Sequence, residues 1–250
     1  MTCILLMMIW AGGSIILSQL LVGYIMIWIT GASFVKSPIG TACLLILSYA
    51  LSLFFVLYVP SLFSHNLKSG NNKKASANKR KKELKVLGLS DWPTWTDIGL
   101  APVGFVVYLV LAAGLVALFS LFPWFDASQV QDVGFEHYII GFDRSIAFIS
   151  IVVVAPIVEE IIFRGWLYGN IRERTNKKLG AAWSIVVSTL LVSLAFGVMH
   201  MQWNVGVNVF VMSVVACLMR EITGTIHSGI FLHMIKNGVA FYLLYLVGFM

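Results

Sequence analysis

Glu159 and Glu160 stand side by side in IVVVAPIVEEIIFRG, residues 151–165, a stretch that otherwise reads as a membrane helix. An acidic residue at the centre of such a helix costs about 2.5–3.5 kcal/mol on the insertion scale, so an adjacent pair points to function before packing. Candidate partners recur at helical spacing: Phe196 with His200, then His233 with Asn237. A glutamate and a histidine can activate water for attack on a carbonyl, and a second histidine with an asparagine amide can donate hydrogen bonds to the oxyanion that forms. That inventory fits amide hydrolysis. Glu160 and Arg164 lie at i, i+4, where an ion pair lowers the burial cost of one carboxylate and leaves Glu159 as the reactive member. No GxSxG elbow and no HExxH occur, which argues against a serine hydrolase and a zincin. Two histidines and a glutamate could also hold zinc. The metal-free reading is favoured, because adjacent carboxylates beside an arginine suit a water-activating site; no cofactor is expected, with zinc as the alternative.

These residues need helices to position them. The chain has 250 residues, 59% of them hydrophobic and 11% charged, against about 25% charged in soluble domains. The expected fold is all-α, a polytopic membrane protein of about seven transmembrane helices, since the apolar runs suit helices of about 20 residues and are too continuous for an alternating barrel. The spans fall near 3–30, 39–63, 98–122, 145–163, 181–200, 204–219 and 226–247. A turn at Leu179–Gly180 would make the fourth and fifth spans a hairpin. Glu159 and His200 then lie at similar depth, about 30 Å from that turn at 1.5 Å per residue. Turns at 202–206 and 222–225 bring His233 and Asn237, which share one helix face, toward the same level. Pro156, one turn before the glutamates, should kink the helix near the site, and Gly165 with Gly169 form a GxxxG pattern suited to close helix packing.

The organisation expected is a hairpin over 1–63 without interior charge, a basic loop over 64–90, a third span with its following loop over 91–144, and a core over 145–250 that holds the candidate site. The hairpin reads as packing or lipid contact. Residues 68–85 carry Lys68, Lys73, Lys74, Lys79, Arg80, Lys81, Lys82 and Lys85 against Glu83 alone. With no aromatic interleaving, this fits a cytoplasmic loop near anionic headgroups rather than nucleic-acid binding. Asn71, Asn72, Ser76 and Asn78 suggest that it is flexible. It sets the N-terminus in the cytoplasm and puts the acidic 123–144 loop, with Asp126, Asp132, Glu136 and Asp143, outside. Cys3, Cys43 and Cys217, without a CxxC, read as packing residues. His65 and His137 read as solvated, His227 as structural, and Arg220 with Glu221 as a solvated cytoplasmic turn; Lys236 has no assigned direction.

EEIIFR (159–164), FGVMH (196–200) and HMIKN (233–237) reproduce, in order, the patterns EExxxR, FxxxH and HxxxN. The chain thereby resembles the CPBP family of CAAX prenyl proteases and bacteriocin-processing enzymes, also called Abi, over about residues 145–245. The resemblance implies a polytopic helical intramembrane endopeptidase in a prokaryotic cell membrane. Glu159 and His200 would activate water, His233 and Asn237 would form the oxyanion hole, and Glu160 and Arg164 would support the site. It implies a peptide or protein substrate, prenylated or membrane-associated, and the lipid bilayer as surroundings, with no nucleic acid. Two other classes use the same residues. One is a non-catalytic scaffold or bacteriocin self-immunity factor that binds a peptide in the same cavity. The other is a proton-coupled transporter, which the lack of a recognisable repeat disfavours.

Overall fold

The computed structural model of the protein describes residues 2–60, 73–126, 135 and 141–247, without the side chains of 73–77 and 79. His65, Lys68, Asn71, Asn72, Asp132, Glu136 and His137 lie outside the described residues. Every regular element among the described residues is helical. Seven helices are long and apolar enough to cross a membrane. They are α1 (Thr2–Thr30), α3 (Pro38–Tyr58), α5 (Trp95–Phe119), α6 (Gly141–Leu179), α7 (Ala181–Val198), α8 (Trp203–Thr223) and α9 (His227–Val247). A short α2 (Ala32–Val35) links the first two, and α4 (Lys73–Leu87) precedes the third span. The protein is an all-α, multi-pass membrane protein, as its composition led one to expect.

Local chemistry sets the ends. Ser37 accepts from Gly40 N with Pro38 in the first turn of α3, and Thr94 forms a reciprocal capping box with Asp97 at the start of α5. Gly180 turns α6 into α7 at φ 75°, where the hairpin turn was expected. One end departs from expectation. The fifth span does not run to His200: α7 stops at Val198, and the turn lies at 199–202 rather than 202–206. Met201 takes φ 54° there, a left-handed conformation uncommon for a side-chain-bearing residue. His200 therefore reaches the site from a turn and not from a helix face.

At 39 residues, α6 is roughly 60 Å long, about twice the hydrocarbon thickness. Its basic final turns therefore extend past the apolar layer. Around Pro156 the helix changes type. Wide, π-type turns occupy Ile149–Val154 and Ile161–Tyr168, flanking the short α-helical piece Ala155–Glu160. Proline lacks the donor for a regular ladder, and π-bulges gather at functional sites.

α5 packs on α8 and α9, α7 on α8, and α1 on α3. α1 and α3 also touch α6, so the hairpin and the later helices share one core that includes Ala11, Tyr49, Phe163, Phe196 and Leu232.

Two expectations about the charged segments need correction. The basic segment is not simply a flexible loop, because 73–87 are helical and Asn78 lies within α4. Its end sits on the GxxxG surface: a Cβ on Gly169 would lie 2.1 Å from the Val86 carbonyl oxygen, and one on Gly165 3.2 Å from that of Leu87. Arg220 and Glu221 lie in α8 rather than in a turn, and of the two only Glu221 is exposed. Arg220 is buried and donates to the carbonyls of Gly165, at 3.1 Å, and Val86. Glu221 accepts from Tyr168 Oη at 2.8 Å and pairs with Arg172 at 3.1 Å. The carbonyls left unbonded at the end of α4 supply the reason, since a buried guanidinium needs acceptors. His227 is structural as read, its Nε2 donating to the Asp91 carbonyl at 2.9 Å. Of the three free cysteines, Cys217 is buried and Cys43 half-buried, but Cys3 is exposed and does not pack in the core.

Candidate active site

The α-helical piece between the two wide turns of α6 carries Glu159 and Glu160. Their carboxylates have different surroundings. Glu160 is fully buried. Its Oε1 lies 3.2 Å from Arg164 Nη1 and accepts from His233 Nδ1 at 3.1 Å. The i, i+4 ion pair anticipated from the sequence is thus present, and α9 joins it through His233. The fit is tight: a Cβ on Gly229, one turn before His233, would lie 2.9 Å from Glu160 Oε2. Glu159 turns the other way, into a cavity of about 740 Å³ whose wall also includes His200, His233, Lys236 and Asn237. His233 Nε2 is 3.8 Å from Glu159 Oε2.

Phe196, buried on α7, is the hub of the cluster. The Arg164 guanidinium lies 4.2 Å from its ring centroid, a distance suited to cation–π attraction. The rings of Phe163, His200 and His233 meet it edge-on at 4.9, 5.0 and 5.9 Å. His200 Nδ1 lies 2.9 Å from the Phe196 carbonyl. Because a carbonyl only accepts, Nδ1 is the donor, and in the neutral ring Nε2 carries the free lone pair. Asn237 Nδ2 donates to the Ile151 carbonyl at 3.0 Å, which uses one amide hydrogen and leaves the second.

All six residues singled out from the sequence therefore come together. Glu159, His200, His233 and Asn237 line the cavity, while Glu160 and Arg164 lie buried behind it. Two neighbours were not placed by sequence reasoning. Lys236 faces the cavity. Tyr49, on the hairpin read as packing or lipid contact, donates its hydroxyl to Glu159 Oε1, so Glu159 is not without a partner. The one sequence signal for Tyr49 is a polar-tipped ring inside an apolar span, whose hydroxyl needs an acceptor. Among the described residues no group of three or more His, Cys, Asp or Glu is arranged to hold a metal ion.

The fold and the cavity define a multi-pass helical membrane protein with a carboxylate–histidine cluster set among its spans. Residues 142–239 match the family model described as Rce1-like, type II CAAX prenyl endopeptidase Rce1-like. That segment is similar to the Rce1-like family, as the three motifs led one to expect, and all three lie inside it. Comparison with curated proteins and with solved structures found no match.

Proposed function

We propose that the protein is an intramembrane endopeptidase that hydrolyses a peptide bond of a membrane-associated substrate with water activated by glutamate and histidine. The observation that carries this reading is the convergence of Glu159, His200, His233 and Asn237, from α6, the α7–α8 turn and α9, on one cavity. The Glu159 carboxylate takes a proton from water as the water oxygen attacks the carbonyl carbon, and the neutral His200 Nε2 orients that water. His233 serves as imidazolium: Nδ1–H bonds Glu160 and Nε2–H faces the cavity. In that state the charges of Glu159, Glu160, Arg164 and His233 sum to zero. Nε2–H and the second amide hydrogen of Asn237 then hold the oxyanion. The proton on Glu159 passes to the leaving nitrogen, the C–N bond breaks, and an acid and an amine result.

No metal enters this scheme. Glu160, the buried carboxylate, is already engaged by Arg164 and His233. A second, apolar cavity of about 550 Å³, lined by Leu115, Phe119, Val207 and Phe210, shares Met201 with the polar one. It suits a hydrocarbon chain attached to the substrate, consistent with a prenylated or otherwise lipidated peptide. Lys82 of α4 lies 3.7 Å from Glu173 in the basic end of α6, so the basic segments gather at one end. We place that end, and with it the N-terminus, in the cytoplasm.

The test is cleavage of a membrane-associated reporter peptide by Glu159→Ala and His200→Ala variants that fold as the wild type does. Loss of cleavage in both is expected, and retained cleavage in both refutes the reading.

A further inference from the structure

The N-terminal hairpin lies outside the family match, yet it reaches the centre of the site. Its helices meet along small residues: Ala11, Ser14 and Ser18 on α1 and Ser48 and Ser52 on α3 are all buried. Ser52 Oγ donates to Ser48 O at 2.7 Å and reaches Ser14 O at 3.4 Å. Small side chains let membrane helices approach closely. Two of the hairpin's contacts with the later segments lie beside the site. A Cβ on Gly12 would lie 2.4 Å from Met199 Sδ, next to His200. Tyr49, 8% exposed, lies in the cavity wall with its hydroxyl on Glu159 Oε1.

That hydrogen bond divides the work of the two carboxylate oxygens. Among the described residues, Tyr49 is the hydrogen-bond donor to Glu159, and His233 Nε2, at 3.8 Å from Oε2, stands outside hydrogen-bond reach. Oε1 therefore already accepts one hydrogen bond, whereas Oε2 accepts none from the described residues. The terminal torsion of a glutamate is broad and ill-defined on its own. Glu160 has Arg164 and His233 to fix it, whereas Glu159 has Tyr49.

We propose that Tyr49 is the positioning residue of Glu159, so that the N-terminal hairpin supplies a working part of the active site. This rests on the protease reading above. Tyr49 acts through Glu159: it holds the carboxylate in one orientation, with Oε2 presented to the water that will lose its proton.

The experiment compares full-length wild type, Tyr49→Phe and Glu159→Gln in liposomes on a quenched farnesylated CaaX peptide, with Tm measured for each. Phenylalanine keeps the ring and its packing and removes only the hydroxyl. Tyr49→Phe is expected to lower kcat about ten- to a hundredfold, with KM within about twofold of wild type and Tm little changed, because misplacing a reacting group by about 1 Å costs on that order. An unchanged kcat beside a wild type that cleaves overturns the positioning role and leaves the protease reading standing. A kcat that falls only together with Tm assigns Tyr49 to packing and also overturns it. Cleavage that survives in Glu159→Gln overturns the protease reading itself, and the inference with it.

Discussion

At the scale of the residue, the two adjacent carboxylates are held by different partners. Glu160 and Arg164 are both inaccessible to solvent and share the pocket behind the cavity with His233. Removing Arg164 leaves Glu160 with His233 as its one remaining partner in a dry site, so Arg164→Ala should destabilise the fold, by up to about 3–5 kcal/mol. Denaturation of the purified variant in detergent checks this, and a shift well below 1 kcal/mol would show that the pair is not structurally important. Gly229→Ala tests the same pocket from α9. The added methyl would meet Glu160 Oε2 at 2.9 Å and Ala216 Cβ at 3.4 Å, and Glu160 cannot yield without straining its contacts to Arg164 and His233. Cleavage by that variant should fall at least about tenfold, since small displacements of a catalytic constellation are costly.

At the scale of the element, the wide turns of α6 and the end of α4 are the parts that spacing alone could not supply. Gly165 and Gly169 announce a close approach, but the pattern does not say what approaches; the partner is the carbonyl end of α4 rather than another span. Gly169→Leu should push α4 away, because Val86 O would sit 2.1 Å from the new Cβ. Limited proteolysis should then cut sooner near residues 80–90 than in wild type, and an unchanged pattern would mean that the docking does not hold α4. Arg220 misled for a related reason. A charge at the end of a span ordinarily faces water, and only the tertiary arrangement brings Val86 O and Gly165 O to it. The six polar motif residues could be picked out because each motif has helical spacing on an apolar segment, so that the cost of burying its polar members asks for an explanation. Tyr49 could not, because it is 110 positions from Glu159 and its neighbours Ala50 and Leu51 carry no chemical signal. Counting residues through a helix set His200 level with Glu159, and the two do line one cavity, although α7 ends two residues earlier.

At the scale of the molecule, a polar cavity and an apolar one meet at Met201 among spans that present many large apolar side chains outward. On the reading proposed above, the polar cavity supplies the chemistry and the apolar cavity gives a substrate's hydrocarbon chain a place to lie. Filling the second without touching the first separates the two. Val207→Trp should raise KM for a farnesylated peptide by about tenfold while leaving kcat near wild type, the behaviour expected when only binding energy common to ground and transition states is lost. Equal effects on prenylated and unprenylated peptides would remove the apolar cavity from substrate recognition.

The central claim is that Glu159, without a metal, activates the water that cleaves the peptide. Its most direct test is proteolysis of a quenched farnesylated CaaX peptide by the purified protein in liposomes, wild type against Glu159→Gln, each with and without a chelator. The glutamine is close in size and can still accept from Tyr49, but it cannot take a proton from water. The account predicts cleavage by wild type that the chelator does not change and none above background by Glu159→Gln. Cleavage by the glutamine variant at a wild-type rate, or cleavage by wild type that stops when metal is withdrawn, would contradict it.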